Sequence, residues 1–119
     1  YEYAADGGKS IWPPLYDIYY QPDVQVSERD MKDRLLFRPV IESLKCLETN
    51  VLRSVADGNV GSIMGIGAPV WTGGYIQFVN TYGLQRFVDR CRELEQLYGE
   101  RFQPPQIALQ HAKSGELFS

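Results

Sequence analysis

Cysteine, histidine and excess basic charge are scarce in this sequence, and each shortage removes a class of function. Two cysteines among 119 residues, Cys46 and Cys91, cannot build a disulfide framework, and neither has metal-ligand spacing to a partner. Both fall on helical stripes, where a free thiol acts as a small hydrophobe, so a reducing cytoplasmic compartment is expected. The single histidine, His111, has no carboxylate or cysteine at triad or ligand spacing, which argues for packing rather than catalysis. Twelve basic against fifteen acidic side chains give a net charge of −3. That balance lacks the basic face a nucleic acid needs and the polybasic cluster a membrane anchor needs. No apolar run reaches the roughly 18 residues that cross a bilayer; the longest, Ile63 to Trp71, is interrupted by glycines and a proline. No signal peptide is visible, and a chain opening on Tyr1 is expected to be a segment of a longer polypeptide.

What is present reads as one domain. Residues 1–26 are expected to form an irregular arm. Asp6-Gly7-Gly8 and Trp12-Pro13-Pro14 mark turns and extended chain, and the dense aromatics predict that the arm lies across a neighbouring surface. Ser27 opens a helix predicted over about 28–53, with a capping bond toward Asp30 and i,i+4 pairs Glu28–Lys32 and Asp30–Arg34. Leu36, Val40, Leu44, Leu47 and Val51 form its apolar stripe, and Pro39 predicts a kink or a restart. Ser54 caps a second helix reaching Met64. Tyr75–Tyr82 is a short helix ended by Gly83. Leu84, Phe87, Cys91, Leu94 and Tyr98 stripe a fourth, closed by Gly99. A fifth follows Pro104-Pro105, buries Ile107, Ala108, His111 and Ala112, and stops at Gly115. The fold class is all-α over 27–119, about five helices with a long kinked first one, and no period-two run reads as a strand.

Chemistry is sparse. Gly8-Lys9-Ser10 imitates the end of a phosphate loop, but Tyr3 stands where the first glycine belongs and Trp12-Pro13-Pro14 opposes the helix that should follow. The charges around Arg86, Asp89 and Arg90 read as a solvated face. The unusual element is Gly65-Ile66-Gly67-Ala68-Pro69-Val70-Trp71-Thr72-Gly73-Gly74. It serves either as a sharp connection between closely packed helices or as a surface that meets a substrate or another domain. Backbone amides freed there could also receive an anion, although no lysine or arginine lies within it.

Several segments in order carry a resemblance. They are Tyr1-Glu2-Tyr3 with Asp6-Gly7 and Trp12-Pro13, and Asp33-Arg34-Leu35-Leu36 with Glu42, Cys46-Leu47-Glu48 and Ala56-Asp57. Gly65-Ile66-Gly67-Ala68-Pro69 with Gly73-Gly74, and Tyr98-Gly99-Glu100-Arg101-Phe102-Gln103-Pro104-Pro105, complete the set. Together the chain resembles the C-terminal part of the 3-hydroxyacyl-CoA dehydrogenase region of multifunctional fatty-acid β-oxidation enzymes. The resemblance implies a helical domain like the C-terminal one of 6-phosphogluconate dehydrogenase. In that family an N-terminal domain holds NAD and supplies a His/Glu pair; the histidine takes the hydroxyl proton while hydride leaves for the nicotinamide, and a helical domain closes over the acyl-CoA. Larger members carry two helical repeats, the second packed on the first, and the resemblance implies that this chain is the second.

Two departures bear on its role. Catalytic first repeats begin the long helix with Asn-Arg, where this chain has Asp33, and the loop aromatic before proline is Ala68 here. The resemblance therefore implies no catalytic residue and no resident cofactor in this chain, NAD being bound by a domain outside it. Gly65-x-Gly67 also lacks the third glycine and the preceding strand of a dinucleotide site. Asp33, Gly65, Gly67, Pro69, Trp71, Gly73 and Gly74 are the candidates for the cleft or the domain interface. The expected partners are the first repeat and the NAD domain, acyl-CoA in the parent enzyme, a thiolase subunit as in bacterial relatives, and, for the chain alone, a second copy. The rival readings are an independent helical adaptor for a protein partner and an autonomous acyl-CoA-binding module.

Overall fold

A computed structural model describes residues 1–119. Six α-helices carry the fold: α1 Pro14–Tyr19, α2 Glu28–Glu48, α3 Val55–Ile66, α4 Tyr75–Tyr82, α5 Leu84–Tyr98 and α6 Gln106–Ser114. The only strands are the two-residue pair β1 Glu2–Tyr3 and β2 Lys9–Ser10, antiparallel, with Glu2 opposite Ser10. The class is all-α, as the periodicity predicts. No helix is long and apolar enough to cross a membrane.

Helix α2 organises the core. Phe37, Val40, Ile41 and Leu44 recur at helical spacing and are all fully buried, each large side chain contributing about 2 kcal/mol of apolar burial. Phe37 stacks on Phe87 of α5 at 4.9 Å and meets Tyr82 and Phe78 of α4 edge-on at 5.3 and 5.9 Å. Ile76 and Val79 of α4 and Val88, Cys91 and Leu94 of α5 close the cluster. The predicted caps form: Ser27 Oγ accepts from Asp30 N and Ser54 Oγ from Asp57 N, both at 3.1 Å.

The structure departs from the sequence reading at several points. Helix α2 runs through Pro39 as one element; Leu35, whose carbonyl loses its donor there, lies on the exposed side where water can replace it. The helix ends at Glu48 rather than near 53, because Asn50 turns left-handed (φ 59°) and Val51 and Leu52 both donate back to the Cys46 carbonyl. Val51 therefore leaves the stripe and is exposed. Pro14 opens α1 rather than preventing a helix, since a proline at the first helical position sacrifices no bond. Apart from half-buried Pro14, residues 1–25 are exposed, so the arm is not covered by its own chain.

Candidate functional site

The glycine loop is a braced joint. Helix α3 ends on Gly67 in the left-handed region; a 3₁₀ turn, Val70–Thr72, follows Pro69; Gly73 (φ 70°) and Gly74 (φ 106°) then start α4. The amides that open α4 are all engaged within the chain. Gly74 N donates to Thr72 Oγ1 at 3.1 Å and Tyr75 N to Ser62 Oγ at 3.1 Å. Ile76 N and Gln77 N both donate to Asn59 Oδ1, at 3.1 and 2.9 Å. The amides that open α4 therefore offer no donor to an anion, and Val70 N and Trp71 N of the 3₁₀ turn are left as loop amides without an acceptor. Gly67 ends a helix instead of opening one, and no strand precedes it, so these residues do not fit NAD. The close-packing reading finds a direct cause at Gly74, where a Cβ would lie 2.5 Å from Asn59 Cα.

Asp33 does not join this loop. Its carboxylate accepts from Arg90 Nε at 2.8 Å and lies 3.7 Å from Arg29 Nε, and no hydrogen bond or ion pair links it to residues 65–74. Arg90 is the residue the sequence reading missed. It is placed on α5 with only 6% of its side chain exposed, bonded to Asp33, to Glu93 at 2.8 Å, and to Asp30. Tyr98 adds a hydroxyl donated to Asp30 at 2.7 Å. The predicted Asp30–Arg34 pair does not form, because Asp30 turns inward and Arg34 stacks on the Tyr98 ring, 4.4 Å from its centroid. Bonds from Arg90 and then Tyr98 hold the Asp30 carboxyl below its ordinary value. Burial opposes the Arg90 charge, but the carboxylates of Asp30, Glu93 and Asp33 outweigh it and raise its pKa. The bond to Asp30 likewise raises Tyr98. A signal was available: position 90 is three residues after Phe87 and four before Leu94, at the margin of the apolar face.

The remaining candidates resolve into packing. His111 stacks on Phe118 at 3.9 Å, and its Nδ1 lies 2.6 Å from the Glu116 carbonyl, which it can only meet as a donor. It is half-buried rather than part of a buried stripe. Asn80 clamps the tail by accepting from Phe118 N at 3.0 Å and donating to Phe118 O at 2.8 Å. Lys9 covers the Tyr1 ring at 3.9 Å, across the β1–β2 pair. Cys46 and Cys91 are free thiols; burial, then Glu95, pushes Cys91 up to about 12. Thiolate is the reactive form, so a thiol reagent should modify half-buried Cys46 in the native protein. Cys91 should react only through opening of the fold, and mass-spectrometric counting of adducts against time would show the difference.

An apolar surface lies beside the loop. Val60 and Met64 on the outer side of α3, Ile66 at its end, and Val70 and Trp71 in the 3₁₀ turn are all exposed, Met64 by 81% and Trp71 by 73%. Trp71 is fixed edge-on to Phe78 at 6.2 Å. Behind this ridge a groove of about 510 Å³ runs between α2 and α3, where Pro39, Ser43 and Cys46 face Gly58, Gly61 and Ser62. Among the sequence candidates, Gly65, Gly67, Pro69, Trp71 and Gly73 lie on the end of α3 and the loop that carry this ridge, Gly74 is buried against Asn59, and Asp33 lies elsewhere on α2.

Comparison with curated proteins finds relatives. The chain is similar to the fatty acid oxidation complex subunit alpha of Vibrio cholerae, 31% identical over 119 aligned residues covering 99% of the chain and 17% of that protein. The proteins of the same name from Vibrio vulnificus and Vibrio parahaemolyticus are each 32% identical over 97 residues, 82% of the chain and 14% of theirs. The chain thus spans less than a fifth of the length of the curated relatives it matches. No protein-family profile matches it.

Proposed function

We propose that this chain is the second helical repeat at the C-terminal end of an NAD-dependent 3-hydroxyacyl-CoA dehydrogenase within a multifunctional β-oxidation enzyme. Its work is to dock on the preceding repeat and hold the substrate cleft in shape, the positioning component of catalysis. Similarity to the alpha subunits supports the β-oxidation context. The single observation that carries the docking role is the ridge of Val60, Met64, Ile66, Val70 and Trp71, apolar side chains held outward on a braced scaffold. Asp33 fits a supporting role, since its carboxylate is engaged by Arg90 within the domain. Acyl-CoA and NAD then belong to the parent enzyme.

The test is restoration in two pieces. A fatty acid oxidation complex subunit alpha lacking the matching segment is mixed with this chain, and NADH formation from a 3-hydroxyacyl-CoA is followed. The chain alone should form no NADH, and its addition should restore turnover to the truncated subunit. Trp71→Glu should weaken the restoring association by at least about thirtyfold, the loss typical of a central aromatic anchor. Hydride transfer by the chain alone, or restoration indifferent to Trp71→Glu and Met64→Glu, would refute the docking role.

A further inference from the structure

The net charge of this molecule is carried entirely by its first 26 residues. Glu2, Asp6, Asp17 and Asp23 face a single Lys9 there, a formal −3, while acidic and basic residues balance over 27–119. The same arm presents Tyr16, Ile18, Tyr19 and Tyr20 on and beside α1, all exposed, and no residue of α1 is buried. An arm of net negative charge therefore carries α1, whose exposed tyrosines flank its one carboxylate, Asp17, and the chain with this arm measures 54 Å along its longest axis.

The body carries a complementary surface. Met31, Arg34, Leu35, Arg38, Arg101 and Phe102 line a pocket of about 330 Å³. Arg34 and Arg101 have no carboxylate partner, yet both are held in place. Arg34 lies on the Tyr98 ring, and Arg101 donates from Nε to the Tyr98 carbonyl at 3.3 Å. Arg38 pairs with Glu42 through Nη2, while its enclosed Nη1 has no acceptor. Met31 and Leu35 are exposed at the rim. Guanidinium groups beside aliphatic and aromatic side chains favour tyrosine rings with carboxylates nearby, through stacking and paired hydrogen bonds.

We propose that α1 of one copy docks in the arginine pocket of a second copy, and reciprocally, so that the chain forms an arm-exchanged dimer. The arm stands off its own body beyond the turn closed by Val24 N on Gln21 O at 3.1 Å. Two-fold exchange engages both complementary surface pairs and closes without leaving a free arm. The inference uses surfaces outside the apolar ridge and stands independently of the β-oxidation reading.

A charge swap tests it on the full chain. Asp17→Lys with Asp23→Lys makes an arm variant, and Arg34→Glu with Arg101→Glu a face variant. Sedimentation at low salt should show the unaltered chain as a dimer and each variant alone weakened by at least about tenfold, because like charges then oppose. Mixing the two should restore dimers, since each arm meets a face of opposite sign. Circular dichroism checks the fold; Arg101→Glu alone replaces the double change if the face variant unfolds. A monomeric unaltered chain or a mixture that stays monomeric, the sign of an arm on its own body, overturns the proposal. So does dimerisation indifferent to all four changes, which would place self-association on the ridge and make it sensitive to Trp71→Glu.

Discussion

Arg90→Met should destabilise the fold by about 2–4 kcal/mol, read as a lowered midpoint in urea, the cost of breaking a buried charge group from one side. The guanidinium uses three nitrogens on three carboxylates, Nε on Asp33, Nη1 on Glu93 and Nη2 on Asp30. The partners do not contribute equally. Asp30 and Asp33 are 17% and 19% exposed and cannot recover full hydration when the arginine goes, whereas Glu93, 58% exposed, can. Arg90→Lys should recover little, because an ammonium cannot reproduce the planar fork. Arg90→Met combined with Asp30→Asn and Asp33→Asn should be less damaging than Arg90→Met alone, since the stranded charges are then gone.

The same network fixes an acid dependence. The folded-state pKa of Asp30 lies below its ordinary value of 3.8. The contribution of its ionised form is therefore complete above 3.8 and is lost as pH falls through the lower folded value. Stability measured from neutral pH down through that window should fall more steeply in the unaltered chain than in Arg90→Met. Cys91 supplies a second readout. It lies one residue from Arg90, so its modification should accelerate in Arg90→Met by roughly tenfold for each 1.4 kcal/mol lost, provided opening is fast relative to labelling.

The helices were legible because their signals are local. Ser27 and Ser54 cap the helices they were expected to cap, and Gly83, Gly99 and Gly115 end theirs. The misplaced end of α2 has a local cause too, since Asn50 is the non-glycine residue that adopts positive φ. The site was less legible because its bonds join positions far apart in the chain. Arg90 reaches back 60 residues to Asp30, and Asn59 reaches forward 17 to Ile76. Neither an arginine in a charged run nor an asparagine inside a helix announces such a partner. The glycine loop stood out by composition, but composition could not tell an anion cradle from a braced joint. The bonds that Thr72, Ser62 and Asn59 make to the amides opening α4 brace that joint, and they depend on three-dimensional placement.

Gly74→Ala should be the most damaging of the small substitutions in the glycine loop, costing about 3–5 kcal/mol from a strained positive φ together with overpacking. At φ 106° an alanine is already in a region L-residues avoid, and its Cβ would meet Asn59 Cα and Cβ at 2.5 Å and Oδ1 at 2.6 Å. The first contact is backbone of α3, so relief requires moving a helix and not a side chain. Moving α3 away also pulls Asn59 Oδ1 from Ile76 N and Gln77 N and Ser62 Oγ from Tyr75 N, uncapping α4. Uncapping adds about 1 kcal/mol to the strain. Gly73→Ala shares the positive φ (70°) but meets the movable Gln77 side chain first, so about 1–2 kcal/mol is expected. Gly65→Ala, within α3 and with open space around it, should be neutral or stabilise by up to about 1 kcal/mol. Urea midpoints for the three variants would rank them. If Gly74→Ala proved no worse than Gly73→Ala, the tight α3–α4 approach that braces the ridge would not exist in solution. Trp71 would then lose the rigid base that lets an exposed aromatic serve as an anchor.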